Sequence, residues 1–273
     1  MGNATHTVRK LAAETRVRAT PMPAWQAWAE PERLKDWFMD EAAGEPSPGS
    51  EMTLGSSAFG MTAKVRVLQS VPGERFVIEW PGQPGRPQEE PRLWDISVTR
   101  EGGEAVVRVV SSGFGEGEDW DDEYEGEQDG WPVALASYKY YVENHFGERR
   151  REITALRPVR ERQADLRPFF TKPDLLYRWL TNKGELGAKG SVYSLELKDG
   201  RVWNGEVLVE AGNQCCISVR ELDGVAALMS FIGQNGQRMA GVSVSAWKLE
   251  EASARELAST LNAALDALAR PEN

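Results

Sequence analysis

The chain of 273 residues is long enough for one large domain or two of ordinary size. At 41% hydrophobic and 27% charged it has a soluble, globular composition, with no run of about 18 apolar residues to cross a membrane. A net charge of −10 argues against a nucleic-acid partner, because phosphate binding needs a basic surface.

In chain order, a strand is expected over about 8–19, where Val8, Thr15, Val17 and Ala19 partly alternate with charged residues. "PAWQAWAE" and "PERLKDWF" read as two short helices, each opened by a proline suited to the first turn. Strand-like runs follow at 50–57, 61–71, 74–80, 92–99 and 104–112, separated by turn signals such as "VPGE" and "REGGE". The acidic run "GEGEDWDDEYEGEQDG" (115–130) reads as a solvated loop at the mouth of a cavity. Its acids alternate as calcium ligands would. However, Tyr124 stands where a calcium loop starting at Asp119 needs glycine, and Pro132 where one starting at Asp121 needs its last glutamate. A long amphipathic helix then starts at "DGWPVALASYKYYVE", with Trp131, Leu135, Tyr138 and Val142 on one face.

The same order returns. Pro31, Leu34 and Trp37 recur as Pro173, Leu176 and Trp179, each 142 positions later. "QADLRPFF" and "KPDLLYRWLT" stand for the short helices, and strand-like runs fall at about 190–198, 202–210, 214–221, 225–232 and 239–248. "KDGR" is a hairpin turn, and an apolar stripe through Leu257, Leu261, Leu265 and Leu268 closes the chain as a helix. The Arg-rich join 147–163 is either a solvated linker or the opening strand of the second copy. A period near 140 seen twice is a domain duplication, so residues 1–150 and 151–273 are taken as two domains. The expected fold class is α+β: in each domain a curved antiparallel sheet of five or six strands wraps a long C-terminal helix. One helix cannot fill such a sheet's concavity, which leaves an apolar hollow for a small ligand.

The wall of that hollow should include Phe76, Ile78 and Trp80 on one strand, Trp94 and Ile96 on the next, and Val107 and Val109 on the third. Trp37 is either a lid or the aromatic anchor of its short helix, and Trp179 repeats the choice. Trp131, Leu135, Tyr138 and Val142 would complete the wall from the helix, with Tyr138 as the polar handle. Adjacent Cys215 and Cys216 point to opposite faces of a strand, which makes a mutual disulfide geometrically poor. With His6 and His145 they do not form a zinc spacing, so neither metal nor cofactor is expected. No nucleophile elbow, phosphate loop or dinucleotide fingerprint is present, and the balance of signs leans away from an enzyme. The N-terminus lacks the apolar core of a signal peptide, and His6 stands where myristoylation needs Ser or Thr. The expected compartment is the cytoplasm, with no membrane partner.

"PERLKDWF", "VLQSVPGERFVIEW", "SSGFG" and "DGWPVALASYKYYVE", in that order over about residues 15–147, resemble the helix-grip (START-like, SRPBCC) superfamily. Within it the likeness is to the branch homologous to the activator of the Hsp-90 ATPase. The second copy keeps "KPDLLYRWL" and the closing helix but has no "GW" at that helix's start. Where many members have His-Ser-Gly-Phe, this chain has Ser111-Ser112-Gly113-Phe114, so a role for that histidine does not carry over. The resemblance implies binding of a small apolar or amphipathic molecule by a carrier or sensor. It leaves open a co-chaperone or other protein-interaction module, with a chaperone as partner, and a cyclase-like enzyme.

Overall fold

The computed structural model describes residues 9–82, 91–159, 167–233 and 236–269. Gly2, His6 and the "QADL" part of the third short-helix text lie outside the described residues. The first repeat runs β1 (Arg9–Val17), α1 (Pro21–Ala29), α2 (Pro31–Lys35), β2 (Glu41–Gly44), β3 (Glu51–Ser56), β4 (Met61–Val71), β5 (Arg75–Trp80), β6 (Arg92–Glu101), β7 (Glu104–Phe114) and α3 (Glu118–Asn144). The second runs β8 (Arg151–Pro158), α4 (Arg167–Thr171), α5 (Pro173–Trp179), β9 (Thr181–Lys183), β10 (Val192–Leu197), β11 (Val202–Ala211), β12 (Gln214–Val219), β13 (Gly224–Ile232), β14 (Arg238–Ala246) and α6 (Glu251–Leu268).

Each repeat forms a seven-stranded antiparallel sheet with the same strand order, β1-β7-β6-β5-β4-β3-β2 and β8-β14-β13-β12-β11-β10-β9. The class is α+β with two tandem helix-grip domains. Packing divides the chain into compact units 1–125 and 126–273, a division that falls inside α3. The sheets themselves divide between β7 and β8.

The repeated text is explained by repeated hydrogen bonds. The indole N–H of Trp37 donates to the Ala27 carbonyl at 2.8 Å, and that of Trp179 to the Phe169 carbonyl at 3.1 Å. In both cases a buried aromatic on the second short helix ties down the first, and its one polar atom is satisfied in doing so. The turn before β3, which bonds to β4, is also copied before β10: Gly49 N–H bonds the Val67 carbonyl and Val67 N–H the Ser50 carbonyl, as Gly190, Val207 and Ser191 do in the second repeat. Gly44 and Gly184 close β2 and β9 at φ +111° and +95°, where a Cβ would meet a carbonyl oxygen at 2.6 Å and 2.0 Å. Only glycine fits there.

Two expectations are corrected. Each sheet has seven strands rather than five or six, because β2 and β9 are too short, at four and three residues, to show alternation in sequence. The acidic run is also no loop: from Glu118 it forms the first turns of α3. Gly130 and Pro132 read as a helix start, yet Pro132 lies inside the helix. Acidic side chains suit the electropositive end of a helix, and that preference outweighs a proline within it. The join resolves in favour of a strand, since β8 pairs along β14 from Arg151 to Pro158.

In the second unit the inner face of the sheet packs on α5 and α6 through buried Trp179, Leu195, Trp203, Ile217, Leu257 and Leu261. The outer face is covered too, by Val133, Ala136 and Tyr140 of α3 set against Cys216, Val225 and Ala227. Cys215 belongs to the inner cluster and Cys216 to the outer one; both are free and buried. Among the described residues no helix is long and apolar enough to cross a membrane.

Candidate functional site

In the first unit the register settles which side chains share a face. Across β5 and β6, Trp80 opposes Arg92, Ile78 opposes Trp94 and Phe76 opposes Ile96. Across β6 and β7, Trp94 opposes Ser111, Ile96 opposes Val109 and Val98 opposes Val107. Opposed residues on paired strands project to the same side. The seven strand positions expected to line a hollow, Phe76, Ile78, Trp80, Trp94, Ile96, Val107 and Val109, therefore lie on one face. Most are fully buried; Trp80 and Trp94 are only partly so.

The short helices continue this face as a chain of aromatic rings. Trp28 meets Trp37 edge-on at 4.8 Å, Trp37 stacks on Phe38 at 4.7 Å, Phe38 lies 6.0 Å from Trp94, and Trp94 lies 4.6 Å from Trp80. Trp37 is thus buried inside the chain of rings, with Phe38 between it and Trp94. Among the described residues, the buried indole nitrogen of Trp80 has no hydrogen-bond partner.

Beside the tryptophans stands a charged group that the sequence reading passed over. Arg92, almost fully buried, donates from Nη1 to Ser111 Oγ at 3.1 Å and to the Ser112 carbonyl at 2.7 Å, and from Nε to Glu123 Oε1 at 3.1 Å. Its guanidinium lies 3.9 Å above the centre of the Phe114 ring. A bulge arranges this: Lys10 pairs with Ser112 but Arg9 with Phe114, so Gly113 is the extra residue and Phe114 turns to the Ser111 side. Gly113 sits at φ +83°, and a Cβ there would come within 2.1 Å of the Pro91 carbonyl oxygen. The acidic start of α3 docks at this end, with Asp121 on Arg9 and Glu123 on Arg92. Tyr124 meets Phe114 edge-on at 5.0 Å. Arg92 and Ser111 were legible in one respect: each is two residues from a position already assigned to the inner face, Trp94 and Val109. Glu123, 31 residues from Arg92, carried no local signal.

Of the helix positions, Trp131, Leu135, Tyr138 and Val142 are all buried, and the Trp131 indole donates to Glu127 Oε2 at 3.0 Å. In the second unit a separate polar cluster surrounds buried His145, which lies 3.0 Å from Glu148, 3.2 Å from Asp223 and stacked on Trp247 at 4.7 Å. Asp223 also takes the Tyr140 hydroxyl at 3.3 Å and Lys248 at 2.5 Å. Burial, with Asp223 alongside, pushes the Tyr140 phenol up to about 12. Burial works to raise the Asp223 carboxyl, but Lys248, His145 and Tyr140 together hold it below its ordinary value. This cluster ties the end of α3 to the turn before β13. Among the described residues no group of three or more His, Cys, Asp or Glu is placed to hold a metal ion.

The architecture defines a tandem helix-grip protein. Residues 18–143, most of the first repeat, match the model of the family described as Activator of Hsp90 ATPase homolog 1-like protein. No curated protein matches the chain. Among solved structures, the di-domain ARO/CYC BexL from the BE-7585A biosynthetic pathway is similar at 15% identity and TM-score 0.44, over 97% of this chain and 100% of that one. DynU16, a protein of the dynemicin biosynthetic locus, is similar at 16% identity and TM-score 0.42, over 95% and 97%. The Aha1 dimer from Colwellia psychrerythraea is similar at 20% identity and TM-score 0.43, over 51% of this chain and 99% of that one.

Proposed function

We propose that the first repeat binds a small hydrophobic or amphipathic molecule against the inner face of its sheet, as a carrier or sensor. The observation that carries this reading is the pair Trp80 and Trp94, which stay partly accessible on a face whose neighbours Ile78, Ile96 and Val109 are fully buried. Aromatic walls with a few placed polar groups are the usual make-up of small-molecule sites. Trp37, Phe76, Ile78, Trp80, Trp94, Ile96, Val107 and Val109 are the residues assigned to the site; Trp131, Leu135, Tyr138 and Val142 of α3, also expected there from the sequence, fall in the second compact unit. Residues 1–150 and 151–273 are taken as the two domains, following the division of the sheets. No cofactor is assigned, and the compartment is taken as the cytoplasm.

Native mass spectrometry of the protein purified from its own host, followed by small-molecule extraction, tests the reading. A compound bound at about one per chain and lost in Trp94→Ala supports it. A clean apoprotein mass, with no thermal shift across lipids and polyketides, overturns it. The family match favours a second reading, a module that docks on a chaperone. That reading requires chaperone binding that survives Trp94→Ala. A cyclase-like activity would require turnover that Tyr138→Phe abolishes without loss of fold.

A further inference from the structure

Arg92 poses a question that packing does not answer. A guanidinium on an apolar face costs desolvation energy, and a hydrophobic residue of similar size often serves stability as well or better. Here Arg92 stands in line with Trp94, Ile96 and Val98, next to Trp80 across the strand, and its side chain is 7% exposed. Its carboxylate partner is less buried: the side chain of Glu123 is 23% exposed. The two halves of the pair therefore differ in how easily they return to water. Arg92 is fixed by Ser111, the Ser112 carbonyl and the Phe114 ring, all on the sheet, while Glu123 comes from the first turns of a helix at the edge.

From this asymmetry we infer that Arg92 is the anchor for an acidic head group on the ligand, and that Glu123 is the internal carboxylate the ligand replaces. The inference rests on the ligand-binding reading above and names its chemical class: an apolar body along Trp80 and Trp94 that ends in a carboxylate or similarly charged oxygen. The exchange conserves charge, since one carboxylate leaves Arg92 for solvent as another arrives, so the guanidinium is never left buried and unpaired. Ser111, fully buried, adds a hydroxyl next to the incoming oxygen. A neutral ligand of the same shape must either leave the Arg92–Glu123 pair in place or strand it, and is discriminated against in both cases.

The test compares cis-parinaric acid with its methyl ester by fluorescence, on the full-length chain. The acid is expected to bind several-fold more tightly than the ester, because the exchange of carboxylates at Arg92 is nearly even and the Ser111 hydroxyl adds about one ordinary hydrogen bond. Glu123→Gln, which removes the competing charge, should tighten the acid several-fold and leave the ester unchanged. Arg92→Gln should bring the acid down to the level of the ester, with retained ester binding reporting that the site is still folded. If Arg92→Gln does not fold, Ser111→Ala and Glu123→Gln still decide, because they must move acid binding in opposite directions and ester binding not at all. Equal binding of acid and ester in the wild type, or no response of the acid to Glu123→Gln, overturns this inference alone. Binding of neither probe overturns the ligand-binding reading and this inference with it.

Discussion

The two repeats share strand order, short helices, indole hydrogen bonds and turn glycines, yet their inner faces differ at corresponding places. Beside the β5–β6 connection, Trp80 opposes Arg92 and Ile78 opposes Trp94. Beside the β12–β13 connection, Val219 opposes Gly224 and Ile217 opposes Ala226. In the first repeat these positions hold two large aromatic rings and a charge; in the second they hold small or aliphatic groups within a core closed by Trp203, Phe170 and Leu257. The comparison separates the positions both copies keep from the inner-face positions at which they differ. The bonds that hold the short helices and close the strands are the same in both copies, while the inner face carries large rings and a charge in one and small or aliphatic groups in the other.

The largest expected effect tests the shared scaffold. Trp37→Ala and Trp179→Ala should each destabilise their own repeat by about 3–5 kcal/mol, the usual range for truncating a buried aromatic. Hydrogen exchange resolved by segment should show each loss confined to one repeat. Equal loosening of both repeats by either variant would mean that they do not fold separately.

Next come exchanges across the comparison. Ala226→Trp, which writes Trp94 into the second repeat, should cost about 1–3 kcal/mol by overpacking, read as a lower denaturant midpoint. Trp94→Ala should instead lower ligand affinity at least tenfold with a smaller change in midpoint. A second repeat that accepted the tryptophan without loss would be hollow, contrary to the packing described. Gly113→Ala, which forces a Cβ against the Pro91 carbonyl at positive φ, should cost about 1–3 kcal/mol and disturb Phe114 beneath Arg92. Circular dichroism melts together with acid binding would read both effects.

The smallest effect concerns the cysteines. Burial pushes the Cys215 thiol up to about 12, and Glu210 adds to this; burial also raises Cys216. Both should stay protonated and unlabelled by a thiol reagent at pH 8 until the second repeat unfolds. Because the folded state holds these protons more tightly than the unfolded state, their contribution is present in full below about pH 9 and is lost as pH rises toward 12. Cys215→Ala should flatten part of that alkaline decline. Rapid labelling of the native protein would place the thiols at the surface.

Much of this was legible in the text of the chain. Pro31, Leu34 and Trp37 recurring at Pro173, Leu176 and Trp179 revealed the duplication, since a helix that anchors on a sheet needs the same spacing wherever it is used. The long strands from Met61, Arg92 and Glu104 announced themselves by alternation. β2 and β9 did not, because strands of three or four residues owe their existence to the neighbour they pair with. The start of α3 was hidden for a related reason: its acids are held in part by Arg9 and Arg92, which are distant in sequence.

The sequence by itself determined the class, the duplication and which side of each strand is apolar, because these follow from local periodicity and from a repeat visible in one dimension. The tertiary structure alone decided that Arg92 lies under Glu123 and beside Ser111, that Gly113 turns Phe114 toward them, and that one inner face keeps two tryptophans partly open while the matching positions of the other are buried. Those are matters of register, and a single-residue shift in pairing would send each of these side chains to the opposite face of the sheet.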